Sequence, residues 1–460
     1  MKKRTLLVAL CYLIIAMLTG ADTAGAQATP QIQFEKYVLP NGLEVILHED
    51  HSTPIVAVDT WYHVGSGDEQ LGRTGFAHLF EHIMFMGSQN VPVGAFDQML
   101  EAAGANNNGS TTEDRTNYYE TLPSNALQLA LWLDADRMGF LLPTMDLPKV
   151  NLQRDVVKNE RRQRVDNQPY GRADETILAA LYPKSHPYSW PVIGSMTDLS
   201  AASLADVQNF FKTYYAPNNA TLTIAGDFDP ATVKKMVAQY FGSIPRGPQI
   251  KRRTTVPAVV IPRDTFLVLE DKVQLPRLFY TWHSVKGFSK DDAALDILAQ
   301  VLAGDKNSRL YKKLVYELQI AQNVSAFQDG SRLDGKFQID VTPKPGQQVA
   351  DIDRIVQTEI GNLITNGVMP RELQRAQNVY KASFLNRLAS VLGKAEVLNS
   401  YNYFVGNPDF VQQDAARYER VSAADVQRVA KTYLGRPKIV LTVVPEGKKE
   451  MMLTASGGGR

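Results

Sequence analysis

Ala205-Asp206-Val207-Gln208, followed by Lys212-Thr213-Tyr214, is the stretch that decides the architecture, because the same letters return as Ala424-Asp425-Val426-Gln427 and Lys431-Thr432-Tyr433. Both pairs share an offset of 219 residues, from 205 to 424 and from 212 to 431. A fixed offset over separated matches points to duplication of a folding unit. Each KTY is followed by an apolar, β-branched run, Ala220 to Ala225 and Ile439 to Val444, which reads as a helix feeding a strand. The halves also begin alike. Trp61-Tyr62-His63-Val64 lies in a strand-like run from Ile55, and Trp282-His283-Ser284-Val285 lies in another from Leu278.

Between the copies, residues 245–264 carry Pro245, Gly247, Pro248, the triplet Lys251-Arg252-Arg253, Pro257 and Pro262, which reads as a linker with a solvated basic connector. Helical segments are expected over Ser124 to Phe140, Leu147 to Val165 and Asp291 to Leu318, mixed with the strand-like runs. The expected fold class is α+β: two similar repeated α+β domains, at 29–244 and 265–450, each a mostly antiparallel sheet packed with helices. A chain of 460 residues with 44% hydrophobic content is long enough for two cores. Residues 451–460, with Gly457-Gly458-Gly459 near the end, read as a flexible tail.

Residues 1–28 have the parts of a signal peptide: Lys2, Lys3 and Arg4, an apolar run from Leu6 to Leu18, and small residues ending at Ala26-Gln27-Ala28. The run is shorter than the ~20 residues of a bilayer span, so export is expected, with the periplasm as destination. The single cysteine, Cys11, lies inside this leader, and cleavage after Ala28 leaves neither a disulfide framework nor cysteine chemistry. A formal charge of +1, from 49 basic and 48 acidic residues, gives no whole-chain field for nucleic acid.

Any metal must therefore be held by His, Asp or Glu. His78-Leu79-Phe80-Glu81-His82 is an HxxEH pattern, the inversion of the zincin HExxH. On a helix, positions 78 and 82 share a face, so two imidazoles converge on one ion. Glu81 falls on the adjoining edge, where a general base reaches a metal-bound water without being a ligand. Phe76, Leu79, Phe80, Ile83, Met84, Phe85 and Met86 make the segment apolar nearly all round. Imidazoles and a carboxylate in such a setting are costly to bury uncompensated. A catalytic zinc needs a third protein ligand. Spacing alone leaves both Glu160 and Asp155 open for that place, in the helix-like segment from Leu147 to Val165.

HLFEH, Glu160 within Val156-Val157-Lys158-Asn159-Glu160-Arg161-Arg162, and GANNNGSTTEDRTNYY at 104–119 together resemble the pitrilysin family, which includes insulin-degrading enzyme and mitochondrial processing peptidase. The resemblance spans essentially the whole mature chain. In that family the third ligand is a Glu nearly eighty residues beyond the second His, and Glu160 lies 78 residues beyond His82. The resemblance thus implies one Zn2+ per chain on His78, His82 and Glu160, with Glu81 as general base in peptide hydrolysis. It also implies paired α+β domains of which only the first keeps the metal motif. Asn108, Gly109, Ser110 and Thr111 become the sheet edge on which a peptide adds as a strand. Neither Tyr118 nor Tyr119 is assigned a role beyond packing.

Two departures from the family pattern stand out. Seven residues before Glu160 the family usually has a second Glu supporting the site, and here stands Gln153, an amide that keeps hydrogen bonding but loses the charge. In the second half, Val315 and Gln322 occupy the positions of an Arg and a Tyr that contact substrate in single-chain and homodimeric relatives. The expectation is a heteromer whose homologous, zinc-free partner subunit supplies that pair. His48, His51, His63, His186 and His283 show no ligand spacing and are expected to be structural or exposed. The competing function is a non-catalytic assembly subunit, since the family includes core proteins of respiratory complexes. The intact His78, Glu81, His82 and Glu160 favour the peptidase.

Overall fold

The computed structural model describes residues 31–454; the leader read at 1–28 and the tail beyond 454 lie outside them. The first half forms a six-stranded sheet from β1 (Glu35–Val38), β2 (Glu44–Glu49), β3 (Ile55–Tyr62), β4 (Asn106–Thr111), β5 (Thr116–Pro123) and β6 (Ala220–Gly226), in the order β1-β2-β6-β3-β5-β4. The second half forms a five-stranded sheet from β7 (Thr265–Asp271), β8 (Arg277–His283), β9 (Ala321–Gly330), β10 (Gly335–Pro343) and β11 (Ile439–Pro445), in the order β7-β11-β8-β10-β9. With β1 set aside, the two orders match strand for strand. Even the exception to antiparallel pairing is repeated, because β2 runs parallel to β6 and β7 parallel to β11.

The repeated letters of the sequence have repeated jobs. The Asp of each ADVQ closes a capping box: Ser203 and Asp206 at the start of helix Leu204–Tyr214, and Ser422 and Asp425 at the start of helix Ala423–Val429. Each box satisfies two otherwise orphaned backbone donors. The Val after it, Val207 or Val426, is fully buried. The Gln then reaches a main-chain carbonyl of an earlier element, Gln208 to Met145 O at 3.4 Å and Gln427 to Ile364 O at 3.0 Å.

Helices α1 (Phe76–Ile83), α2 (Leu147–Arg161) and α3 (Ala173–Leu181) belong to the first half, and α4 (Asp292–Ala303), α5 (Pro370–Arg387) and α6 (Val391–Phe404) to the second. Leu79, Phe80, Tyr62, Tyr118 and Phe241 help to build the first core; Trp282, Leu298, Phe337 and Val426 the second. The halves then exchange helices. α6 lies on β3 and β6 of the first sheet, where Val391 and Ala395 meet Ala57 and Ala225. α3 lies on β8 and β11 of the second, where Ala173 and Ile177 meet Phe279, Leu441 and Val443. Polar ties fix both docks. The Asn399 amide donates to Asp59 O at 3.0 Å and Oδ2 at 2.8 Å and accepts from Thr223 Oγ1 at 2.7 Å. On the other side Arg172 donates to Glu270 O at 2.8 Å and Tyr170 Oη to Leu275 O at 2.9 Å.

The long helix expected over Asp291 to Leu318 is broken. After α4 the chain turns through Gly304-Asp305-Lys306-Asn307, where Asp305 Oδ1 accepts from Asn307 N at 2.7 Å, and resumes as a π-helical turn over Tyr311–Glu317. A short polar side chain that captures its neighbours' N–H groups is a turn signal strong enough to stop a helix. Residues 245–264 carry neither helix nor strand. Arg252 departs from the expected solvated connector: it donates to His63 O at 2.6 Å and to Asn219, while Lys251 and Arg253 remain exposed. Leu453 lies inside the stretch expected as a flexible tail, 451–460, yet is buried against the second core and donates its N–H to Thr442 Oγ1 at 3.1 Å, so the tail does not begin at 451. Among the described residues no helix is long and apolar enough to cross a membrane.

Candidate metal centre

α1 begins at Gly75, whose φ of +88° and close approach to Ile193 O, 2.7 Å from any added Cβ, leave room for no side chain. No side chain caps the helix from that position, so its first donors are satisfied from a distance. Glu69, 3% exposed, accepts from Gly75 N at 3.0 Å, Ala77 N at 2.8 Å and Trp190 Nε1 at 3.1 Å. Burial pushes the Glu69 carboxyl up to about 8, while those N–H donors hold it back. The helix carrying the two histidines is thereby anchored at its start by one buried side chain.

α2 begins with Asp146 accepting from Lys149 N at 2.9 Å and with proline in its first turn. Glu160 stands in its last turn, where the dipole disfavours a negative charge. Its neighbours are the reason it is held. Glu160 Oε2 lies 3.1 Å from His82 Nε2 and 3.6 Å from His78 Nε2, and Oε1 accepts from Arg164 Nη1 at 2.7 Å. The two imidazoles stand nearly perpendicular, with centroids 4.9 Å apart. One ligand atom from each of His78, His82 and Glu160 lies within 4.8 Å of the others, and this is the one such group of His, Cys, Asp and Glu among the described residues. The remaining alternative, Asp155, is outside it.

The donor set fits a divalent cation. Burial, and then the neighbouring His82, bring His78 down to about 4, so near neutrality its imidazole is uncharged and presents a lone pair. Its Nδ1 is buried without a hydrogen-bond partner. Glu160 is held below the usual carboxylate range first by its bond to His82 and further by the neighbouring imidazoles and Arg164, against the opposing effect of burial. An uncharged imidazole and an ionised carboxylate converging on one point, with a second imidazole beside them, make a two-His, one-Glu set suited to zinc.

Glu81, next to His82 in the chain, meets β4. Thr111 Oγ1 donates to Glu81 Oε2 at 2.5 Å, and a Cβ added to Gly109 would stand 3.0 Å from Glu81 Cγ. Burial raises the Glu81 carboxyl above its ordinary value, opposed by the Thr111 bond. The segment read as Asn108, Gly109, Ser110 and Thr111 is the end of β4, the outermost strand, paired on one side with β5 alone. Ser110 Oγ donates to Asn117 Oδ1 at 2.7 Å, Ser110 O accepts from Arg115 at 2.9 Å, and Asn108 Oδ1 accepts from Gly109 N at 2.8 Å. Tyr118 is a packing residue, its hydroxyl 3.3 Å from Phe80 O and 3.2 Å from Tyr215 Oη in the core.

Other residues depart from expectation. The Gln153 amide nitrogen turns to Met86 Sδ at 2.6 Å and bonds none of the three clustered residues; the polar group on Glu160 is Arg164, one turn further along. An i, i+4 spacing from Glu160 was the signal available for it. Val315 is half-buried against the second core and Gln322 is exposed at the start of β9. His51 is exposed, as expected, and contacts Asp227 Oδ1 at 2.6 Å and Glu49 Oε1 at 2.7 Å. His283 and His186 share Asp334 across the two halves, at 2.6 Å and 3.4 Å.

Known proteins bear on this arrangement. Residues 44–192 match the family model described as Insulinase (Peptidase family M16), and residues 201–380 match that described as Peptidase M16 inactive domain. The zinc protease PqqE of Helicobacter pylori is 28% identical over 430 residues, covering 91% of this chain and 94% of that one. A probable mitochondrial-processing peptidase subunit beta of Arabidopsis thaliana is 24% identical over 419 residues, covering 88% of this chain and 77% of that one. Among solved structures, a protease from Helicobacter pylori superposes with a TM-score of 0.82 at 26% identity, over 90% of this chain and all of the other. The first half of the periplasmic protease PqqL from Escherichia coli, at 18% identity and a TM-score of 0.74 over 93% of this chain and 95% of that one, shares the fold. With both halves matched, and HxxEH lying inside the insulinase match, the chain belongs to the insulinase or pitrilysin family of peptidases, family M16.

Proposed function

We propose that this chain is the zinc-bearing subunit of an exported metalloendopeptidase, with His78, His82 and Glu160 holding one zinc ion and Glu81 as the general base. The observation that carries the reading is the approach of Glu160 Oε2 to both imidazole Nε2 atoms, with Glu81 beside them at the outermost strand of the sheet. Bound zinc would supply a Lewis acid that polarises the scissile carbonyl and makes water acidic enough to be activated. The free side of β4 at Asn108 to Thr111 receives the peptide as an added strand, through main-chain groups that read little of its sequence. Glu81 takes the proton from the attacking water and returns it to the leaving amine, so that one water is consumed and one carboxylate and one amine are formed. The match described as an inactive domain falls on 201–380, a segment with none of these four residues.

The substrates of this reading are peptides or unfolded segments, which enter a strand-shaped slot. Val315 and Gln322 leave the second half without a cation or phenol at the positions noted above, so a homologous zinc-free subunit completes the site. The leader at 1–28 sends the chain to the periplasm. A quenched fluorescent peptide, incubated with the zinc-loaded mature chain with and without a co-purified homologous subunit, tests both points. Cleavage that requires the partner and is lost by at least about a thousandfold in Glu81→Gln, with zinc retained, is the expected result. Glu81→Gln cleaving as fast as wild type would leave the assembly-subunit reading in its place.

A further inference from the structure

The geometry points to Thr111 as the positioning residue for Glu81, holding one carboxylate oxygen so that the other is presented for proton transfer. This rests on the proposed role of Glu81 as general base and goes beyond it, because the strand edge and the base then form one device.

Along β4, alternate residues face opposite sides of the sheet, so Gly109 and Thr111 share a face. That face meets α1. Thr111 Oγ1 donates to Glu81 Oε2 at 2.5 Å, a short charge-assisted bond. Two residues earlier the bare Cα of Gly109 receives the stem of Glu81: a Cβ there would stand 3.0 Å from Glu81 Cγ and 3.4 Å from Oε1. The carboxylate is thus gripped at one oxygen and braced along its stem. Among the described residues Oε1 has no hydrogen-bond partner, which makes it the oxygen free to take a proton. Gly109 is outside the left-handed region, so its missing side chain serves Glu81 and not a backbone turn. Ser110 and Asn108, on the opposite face, are tied to Asn117 and to the strand's own backbone and do not touch Glu81.

The device makes three demands that a merely structural threonine would not. Thr111→Val keeps the shape of the side chain and removes the donor. In the zinc-loaded complex it should lower kcat by about 10- to 100-fold, the order expected for a misplaced catalytic group, with KM and zinc content within about threefold of wild type. Thr111→Ser restores the hydroxyl and should recover kcat to within about threefold, while Gly109→Ala should lower kcat as Thr111→Val does. A Thr111→Ser that falls as far as Thr111→Val, or a Thr111→Val that matches wild type, overturns the assignment. Crystal structures of the zinc-loaded wild type and Thr111→Val supply a readout that needs no turnover. Glu81 should keep Oε2 at residue 111 in the first and swing to another rotamer in the second. An unmoved Glu81 in Thr111→Val overturns the assignment whatever the activity. A wild type that cleaves nothing with its partner and zinc present defeats the proposed function instead, and the rotamer comparison still decides what Thr111 does.

Discussion

The two halves share a sheet order and a succession of helices, yet among the described residues only the first gathers a set of side chains that could hold a metal ion. In topology α4 is the counterpart of α1 and α5 the counterpart of α2, each pair packed face to face. Neither α4 nor α5 contains a histidine. The carboxylates of α4 are engaged within the half: Asp296 accepts from Tyr418 Oη at 2.6 Å, and Asp292 from Phe288 N at 2.8 Å. α5 holds its one carboxylate, Glu372, at its start, where it pairs with Arg309 at 2.7 Å. In the first half Glu160 sits instead at the end of its helix, against the dipole, and faces the imidazoles. Duplication supplied a pair of facing helices twice. The chemistry follows from which side chains occupy the facing positions, and fold alone would not separate the two.

The comparison breaks most completely at Glu160. Glu160→Gln removes the one anionic member of the set and should take the chain from one bound zinc to none at micromolar metal, measured by mass spectrometry under native conditions. Asp296→Asn in the second half should leave zinc content unchanged. A smaller effect is expected at Glu69, which has no equivalent among the α4 contacts. Glu69→Ala leaves Gly75 N and Ala77 N buried without their acceptor, while Trp190 Nε1 keeps only Ser66 O, and should destabilise the first half by about 3 kcal/mol. Differential scanning calorimetry should then resolve a lowered transition.

The smallest effect concerns the dock between the halves. Lys394 on the exchanged helix α6 bonds Asp50, and that bond holds the Asp50 carboxyl well below the usual carboxylate range. The native carboxyl therefore ionises at lower pH than the unfolded one, near 3.9 by ordinary values, about the typical figure for Asp. The pair's contribution is present above that value and lost as pH falls through the lowered native one. Lys394→Met should cost less than about 1 kcal/mol at neutral pH, a difference screened by salt, and should reduce this acid-side loss in urea-unfolding curves taken between about pH 5 and 2, the remainder being held by Ser52 N at 3.0 Å.

Much of the fold was legible because duplication leaves a register: the ADVQ and KTY repeats mark capping boxes and buried valines whose geometry allows few substitutes. The two-histidine face was legible because i, i+4 spacing is a local property of a helix. Glu160 was not, since nothing in residues 147–165 alone says which carboxylate faces α1, and resemblance had to choose. The exchange of α3 and α6 was invisible for a similar reason: both helices have ordinary composition, and their sheets lie far away in sequence. The same holds for Glu69, whose partner Trp190 is 121 residues distant, and for His186 and His283, which meet on Asp334 across the halves. The break after α4 is signalled by Gly304-Asp305-Lys306-Asn307, a turn signal that outweighs the apolar periodicity on either side.

The most direct test of the difference between the halves is anomalous diffraction at the zinc absorption edge from crystals of the mature chain. The expected result is one anomalous peak per chain, bounded by His78, His82 and Glu160, and none between α4 and α5. No peak at the first site after zinc loading, or a stronger one in the second half, would contradict the account.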